Sequence, residues 1–424
     1  MTQRVLLYGM NYAPEIAGVG RYSGEIGEHL ASLGHDVTAI TTPPHYPGWA
    51  VQPGQAPNSW THSLLAGVKV FRCPLYLHPK MSGWRRLLAP LSFALSSAPV
   101  ALWQILTRRP NVVIVVEPTL FVAPIAILAA RMVGARTVLH VQDLEIDAAF
   151  AVGHMGKGGP MARLAYGFER LVLRGFDTVI TIANAMSRRI ADKGVPADRI
   201  HVVRNWVDLD QIYPVPHASA YRAELGLQDD DFVVLYSGNL GAKQGVGLLI
   251  QAARCLEDHK DIVFVIAGQG PMRPDIEAAA KTQNNIRLKD FQPEARMRDF
   301  LGVADVHVLP QERGAADLLL PSKLGGMLAS GRRIIATADP ETELARFLGT
   351  SCVLTSPGDV SALAAAIIAL KDAPYSSDQE AERLTRAAQL SKKTVIHDFA
   401  REAVYLQPNA ETDPVTQPTI ERQS

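Results

Sequence analysis

Short β-branched runs alternate with helical patterns along almost the whole chain, and no other feature restricts the fold as strongly. Val5 to Gly9 reads as a strand, Tyr22 to Leu33 as a helix, and Val37 to Thr41, Val68 to Cys73 and Val112 to Val116 as further strands. A helix over Leu120 to Met132, a strand at Thr137 to Val141, a helix over Ala162 to Arg174 and a strand at Thr178 to Ile182 follow. Strands separated by helices lie parallel, because each connection must cross back over the sheet. The stretch Tyr213-Pro214-Val215-Pro216-His217 breaks the pattern with no periodicity of its own and reads as a linker. Alternation restarts at Phe232 to Tyr236 and runs through Ile262 to Ala267, Ile286 to Leu288, Val306 to Leu309, Arg333 to Thr337 and Cys352 to Leu354. The expected fold class is α/β: two tandem Rossmann-like, doubly wound parallel-sheet domains, at 1–212 and 213–378. Gln379 to Leu406 is expected to form one long or broken helix packing back across both domains. The polar residues 407–424 are expected as a disordered tail.

Charge excludes one class of partner. Lys plus Arg and Asp plus Glu both number 42, so no global field recruits nucleic acid, and an anionic ligand must be held by local charges. Cys73, Cys255 and Cys352 are far apart and lie in or beside apolar runs. They read as reduced core thiols, which points to the cytoplasm. Met1 to Arg4 leads directly into Val5-Leu6-Leu7-Tyr8, a run too short for a signal-peptide core.

Leu87 to Thr107 carries no charged residue and is bounded by Arg85-Arg86 and Arg108-Arg109. A spanning helix needs roughly 20 apolar residues, but Pro90, Pro99, Ser92, Ser96, Ser97 and Gln104 weaken this segment. A helix pair is expected, either packed into the core or lying with its apolar face in a lipid interface and its basic ends on anionic headgroups.

Polar loops at strand carboxyl ends are the candidate site, because ligands of open α/β sheets bind there. In the first unit Gly18, Val19 and Gly20 join a strand to a helix, and glycine lets a ligand approach the backbone. A tight turn that needs glycine explains them nearly as well. His140 and Gln142-Asp143 end a later strand; Asp143 is the candidate cleft-facing carboxylate, and His140 is either a core histidine or a catalytic one. In the second unit Ser237 to Gly245 runs from strand to glycine loop to helix, with Gly238, Asn239, Lys243 and Gln244. Gly268-Gln269-Gly270 closes the next strand in the same way. The first-unit glycine loop lacks the dinucleotide fingerprint, and Ser237 to Gly245 lacks the Walker spacing. A third loop, Glu312 to Leu324, adds Arg313, Asp317, Pro321, Ser322 and Lys323. Together Lys243, Arg313 and Lys323 would make a positive pocket for a diphosphate inside a neutral protein; alternatively Arg313 and Lys323 only pair with Glu312 and Asp317.

These residues resemble the retaining nucleotide-sugar glycosyltransferases of the two-Rossmann-domain (GT-B) type, most closely those of colanic-acid exopolysaccharide assembly. The resemblance rests on Tyr8-Gly9-Met10-Asn11-Tyr12 with Pro14-Glu15, Arg72 to Tyr76, Ala135 to His140, Ser237-Gly238-Asn239 with Lys243-Gln244-Gly245, and Arg313 to Asp317 with Leu320 to Leu324. It implies a central cleft, with an acceptor on the first domain at Gly18, Val19, Gly20, His140 and Gln142. The nucleotide sugar would lie on the second domain, at Gly238, Asn239, Gln244, Gly268, Gln269, Gly270, Glu312, Pro321, Ser322, Lys323 and Leu324. Lys243, Asp317, Arg313 and Asp143 would be catalytic. The resemblance further implies transfer of a hexose, fucose from GDP-fucose, with retention, to a lipid-linked intermediate at the inner membrane surface, with no cofactor and no obligatory metal. The alternatives are a nucleotide-sugar epimerase of the same fold and a non-catalytic sugar-nucleotide binder. Two departures stand out. The superfamily's paired glutamates would fall on Leu318 and Gly326, leaving Asp317 and Glu312 as the nearest substitutes. Its phosphate-loop Arg and Lys would fall on Asn239 and Gln244.

Overall fold

A computed structural model describes residues 2–15, 18–46, 50–51, 54, 58–78, 85–144, 159–215, 220–241, 244–312 and 320–405. The first sheet comprises β1 (Arg4–Tyr8), β2 (Asp36–Thr41), β3 (Thr61–Leu65), β4 (Val68–Arg72), β5 (Val112–Glu117), β6 (Arg136–Val141), β7 (Thr178–Thr181) and β8 (Ile200–Val202). Its strand order is β3-β4-β2-β1-β5-β6-β7-β8. The second comprises β9 (Phe232–Ser237), β10 (Ile262–Ala267), β11 (Ile286–Lys289), β12 (Val306–Leu309), β13 (Arg333–Thr337) and β14 (Val353–Thr355), in the order β11-β10-β9-β12-β13-β14. The expected ladder of parallel strands is therefore present. One strand was not expected: β3 pairs antiparallel with β4. Its five residues are all exposed, so no buried face marks it in the sequence. The connecting turn puts Ala66 at φ 48° and Gly67 at φ 80°, the primed two-residue turn that suits a twisted hairpin.

Each sheet buries both faces, which is why its central strands read as continuous apolar runs. On one face of the first sheet, Ile26 and Leu30 of helix Val19–Ser32 and Val395 and Phe399 of helix Lys392–Ala400 meet Val5, Leu7 and Val37. On the other, helices Arg85–Arg108, Ala123–Val133, Pro160–Arg174 and Asn184–Asp192 bring Phe93, Ile127, Leu173 and Met186 against Leu6, Tyr8, Val113 and Leu139.

The segment expected as a helix pair is one helix, Arg85–Arg108, with Pro90 and Pro99 inside it. Each interior proline costs about 3 kcal/mol. Ala89, Phe93, Ala101 and Ile105, all fully buried on one stripe, continue the packing on either side of Pro99 and offset that cost. Among the described residues, Leu88–Arg108 is the one stretch whose length and composition would let it cross a membrane.

The carboxyl-terminal segment is broken. Helix Ser377–Ala388 places Ala387 among Leu328 and Phe347 of the second domain, whereas helix Lys392–Ala400 belongs to the first-domain core. At the break, Val207 N–H donates to Leu390 O and Lys392 N–H to Val207 O, each at 2.8 Å. The two crossings between sheets thus pair with each other. Pro216 and His217 of the expected linker, and the tail 407–424, lie outside the described residues. The cysteines are free; Cys73 is buried and Cys352 half-buried, but Cys255, the last residue of helix Val246–Cys255, is exposed and is no core thiol.

Candidate functional site at the facing carboxyl edges

Both sheets reverse strand order, the first between β1 and β5 and the second between β9 and β12. Loops diverge at such points and leave a crevice at the carboxyl ends of the strands. The two crevices face each other: Arg21, on the first turns of helix Val19–Ser32, lies 3.9 Å from Glu294, which follows β11.

In the second domain three loops are fitted together through glycine. Gly238, Gly268 and Gly270 have φ near +150°. A Cβ on Gly268 would stand 1.8 Å from Gly238 O, and one on Gly270 would stand 2.6 Å from Leu240 O. Hydrogen bonds from Gly238 N–H to Ala267 O and from Leu240 N–H to Gln269 O, both 2.9 Å, join the loops after β9 and β10. Gly245 approaches the loop after β12, where a Cβ would meet Gln311 N at 3.2 Å. Thr337 Oγ1 fixes that loop, accepting from Gln311 N–H at 2.7 Å and donating to Gln311 O at 3.0 Å.

Lys323 enters this crevice from the start of helix Lys323–Ala329. Its ammonium donates to Tyr236 Oη at 2.7 Å and lies 4.0 Å from that ring's centroid. A Cβ on Gly238 would be 3.1 Å from Lys323 Nζ, so the cation sits directly against the bare backbone of the bend. Among the described residues no carboxylate pairs with it. Desolvation lowers the Lys323 pKa from its ordinary 10.5 to about 7. A desolvated cation with no counter-ion among the described residues, at a switch point, is poised for an anion.

The neighbouring candidates divide. Asn239, Gln269, Glu312 and Ser322 are exposed on this edge, with Gln244 and Pro321 half-buried. Gln269 Nε2 donates to Asp290 Oδ1 at 2.8 Å. Leu324 is 1% exposed and anchors its helix in the core rather than facing a ligand. Lys243, Arg313 and Asp317 lie outside the described residues.

On the first domain, Gly18, at φ +65°, immediately precedes helix Val19–Ser32. A Cβ on Gly20 would fall 2.2 Å from Glu15 Oε2. The buried Glu15 carboxylate accepts from Asn11 Nδ2 at 2.9 Å and from the N–H groups of His45 and Tyr46 at 3.1 and 3.0 Å. Arg72 donates to Thr42 O at 2.8 Å and Ala13 O at 2.6 Å. Sequence reasoning did not single out Glu15 and Arg72, whose hydrogen bonds brace the backbone around this glycine loop; a charged residue at a strand end or beside a glycine loop was the available signal. Of the two readings of His140 the core one holds, and the acceptor contact that the resemblance implied for it is corrected. His140 is 1% exposed, its ring packs 4.8 Å from that of Phe399, and burial pushes its pKa down to about 3, so it is a neutral core residue. Gln142 is also buried, 3.0 Å from His140 Nε2 and exchanging hydrogen bonds with Asn205. Asp143, the next residue, is exposed at the edge.

Residues 17–206 match the family described as Glycosyl transferase 4-like domain, and residues 231–372 match Glycosyl transferases group 1. The chain is 39% identical over 409 residues to the putative colanic acid biosynthesis glycosyl transferase WcaI of Escherichia coli (strain K12), covering 93% of this chain and 98% of that one. Among solved structures, sucrose-phosphate synthase from Thermosynechococcus elongatus superimposes with a TM-score of 0.71 at 17% identity, covering 94% of this chain and 98% of that one. Anabaena HepE in complex with UDP and glucose gives 0.66 at 15% identity, covering 95% and 100%.

Proposed function

Since the chain belongs to the two-domain, GT-B glycosyltransferases, we propose that it transfers a hexose, with retention, from a nucleotide-diphosphate sugar to a lipid-linked intermediate of a colanic-acid-like exopolysaccharide. The observation that carries this reading is Lys323, a desolvated cation with no carboxylate partner among the described residues, held at the second domain's switch point. Breaking the sugar–phosphate bond builds negative charge on the departing diphosphate. A fixed, desolvated cation stabilises that charge far better than one in water. Lys243 and Arg313 supply further positive charge from the flanking loops, and no metal is required. Asp143, Asp317 and Glu312 are the carboxylates proposed to take the place of the absent superfamily glutamates. The polymer is taken from the printed name of the Escherichia coli relative, and fucose from GDP-fucose is the donor that this polymer suggests.

A lipid-linked acceptor requires the enzyme to work at a membrane, at the inner face from the cytoplasm. Helices Arg85–Arg108, Ala123–Val133 and Pro160–Arg174 cover the same sheet face. They expose Leu95, Trp103, Leu128, Met132, Leu164 and Leu171, each more than half open to solvent, with Arg108, Arg131, Arg163 and Arg170 exposed among them. Apolar side chains interleaved with arginine suit an anionic bilayer surface.

The test is a screen of purified protein against a panel of nucleotide sugars with bacterial lipid extract as acceptor. Release of free nucleotide that depends on the lipid, with sugar appearing in the lipid fraction, is the expected result. Conversion of the sugar nucleotide without lipid would favour an epimerase, and tight binding without turnover a non-catalytic binder; either would overturn the proposal.

A further inference from the structure

The loop after β9 and the loop that enters helix Lys323–Ala329 come from opposite sides of the switch point, and one side chain joins them. Tyr236, 1% exposed at the end of β9, receives the Lys323 ammonium on its hydroxyl and donates that hydroxyl's proton to Asn239 O, both at 2.7 Å. We propose that Tyr236 is a positioning residue for the donor diphosphate, holding the Lys323 cation beneath the bare backbone of Gly238. The proposal rests on reading Lys323 as the diphosphate-binding cation.

The argument follows from what a phenol can and cannot do there. Burial pushes the ionisation of Tyr236 upward, so it stays a neutral phenol and donates and accepts at the same time. As an acceptor it fixes the end of a side chain with four rotatable bonds, removing conformational freedom that a diphosphate would otherwise have to quench. Being neutral, it does not act as counter-ion, so the ammonium keeps its unspent attraction for an anion. A carboxylate in this position would order the lysine equally well and cancel its charge. The second hydrogen bond, to Asn239 O, ties the cation to the bend at Gly238, whose missing side chain leaves the approach open. Cation and bend therefore hold one spacing, fixed by Tyr236.

Wild type, Tyr236→Phe, Lys323→Met and the double variant would be titrated with GDP, and with UDP in parallel, by calorimetry. Each would also be assayed for transfer with the donor found in the screen. Lys323→Met is expected to weaken nucleotide binding by at least about 30-fold, and Tyr236→Phe by about 10-fold, the scale of one hydrogen bond to a charged group. In transfer, Tyr236→Phe should raise the donor KM more than it lowers kcat. The double variant should bind no more weakly than Lys323→Met alone, because without the cation the hydroxyl has nothing to position. Unchanged binding by Lys323→Met, or no nucleotide binding by the wild type, overturns the donor-site reading itself. A weakened Lys323→Met beside an unchanged Tyr236→Phe, or additive losses in the double variant, overturns the role of Tyr236 and leaves Lys323 in place. Additivity is the outcome expected of a merely structural phenol, so the cycle separates positioning from folding.

Discussion

The Glu343 carboxylate, in the second domain, accepts the backbone N–H of Ala185, in the first, at 2.7 Å. It also accepts from Asn184 N–H at 3.0 Å and lies 3.4 Å from the Arg204 guanidinium, which itself sits over the Phe347 ring. Helix Asn184–Asp192 thus has its first turn capped by the opposite domain, where its own sequence offers no side-chain cap. Arg204, three residues before the crossing at Val207, links this contact to the paired crossings at Val207 and Leu390.

Removing that carboxylate leaves the buried N–H of Ala185 and the partly buried N–H of Asn184 unpaired, and Arg204 without its partner. Glu343→Ala should cost about 2–4 kcal/mol, and Glu343→Gln, which keeps one acceptor oxygen, clearly less. Urea denaturation measures the loss, and small-angle scattering should show a larger radius of gyration for Glu343→Ala. Unchanged midpoints and scattering for that variant would show that the cap does not hold the domains together.

Donor affinity should depend on pH in a direction that Lys323 fixes. In the free protein its pKa lies at about 7, so below pH 7 the ammonium is already present and the diphosphate binds without proton uptake. Above pH 7 the free lysine loses its proton, and binding must restore it. Affinity for a nucleotide sugar, whose diphosphate stays fully ionised, should fall by up to about 10-fold per pH unit from 7 upward. It levels off at the raised pKa of the bound state. Calorimetry in two buffers at pH 8 should register the proton taken up. Lys323→Arg, charged throughout, should give a flat profile, and a flat profile in the wild type would contradict the assignment.

The glycine-fitted loops yield a paired comparison. Gly268→Ala places a methyl group 1.8 Å from Gly238 O at a backbone φ of +150°. Nothing flexible is there to move aside. It should destabilise the second domain by more than about 2 kcal/mol and weaken donor binding. Gly247 lies within helix Val246–Cys255 with nothing within 4 Å of its Cβ position. Gly247→Ala should therefore be neutral or stabilise by up to about 1 kcal/mol. Thermal melts of the two variants, with and without nucleotide, decide it.

What could be read from the chain in advance follows a physical line. Strands buried on both faces announce themselves as apolar runs, so β1 and β10 are legible, whereas β3, exposed along its length, is not. The helix through Pro90 and Pro99 looked like two because local propensity is visible in the sequence and the packing of Phe93 and Ile105 is not. Lys323 was legible from its place after a strand. Its partner Tyr236, 87 residues away, looked like one more apolar residue of a core strand. His140 was open to misreading because the ring that covers it, Phe399, arrives from the far end of the chain. Glu343 and Ala185 are 158 residues apart, and nothing local to either suggests the other.

Membrane docking should respond to the outward face of the first-domain helices and not to their packing. Leu95 and Leu171 are 70% and 74% exposed on two of the three helices, and neither supports the core. Inserting one leucine side chain into a bilayer interface is worth about 1.5 kcal/mol or more. Leu95→Glu and Leu171→Glu should each lower co-sedimentation with phosphatidylglycerol-containing vesicles about 10-fold, and together more than either alone. Raised salt should weaken binding further by screening the interleaved arginines. Transfer to a detergent-soluble acceptor should stay unchanged, because neither residue approaches the cleft. Phe93→Ala is the contrasting control: Phe93 is fully buried against Tyr8, so it should cost about 3–5 kcal/mol of stability while leaving the outward face intact. If the two charge substitutions left vesicle binding unaltered, this face would not be the docking surface.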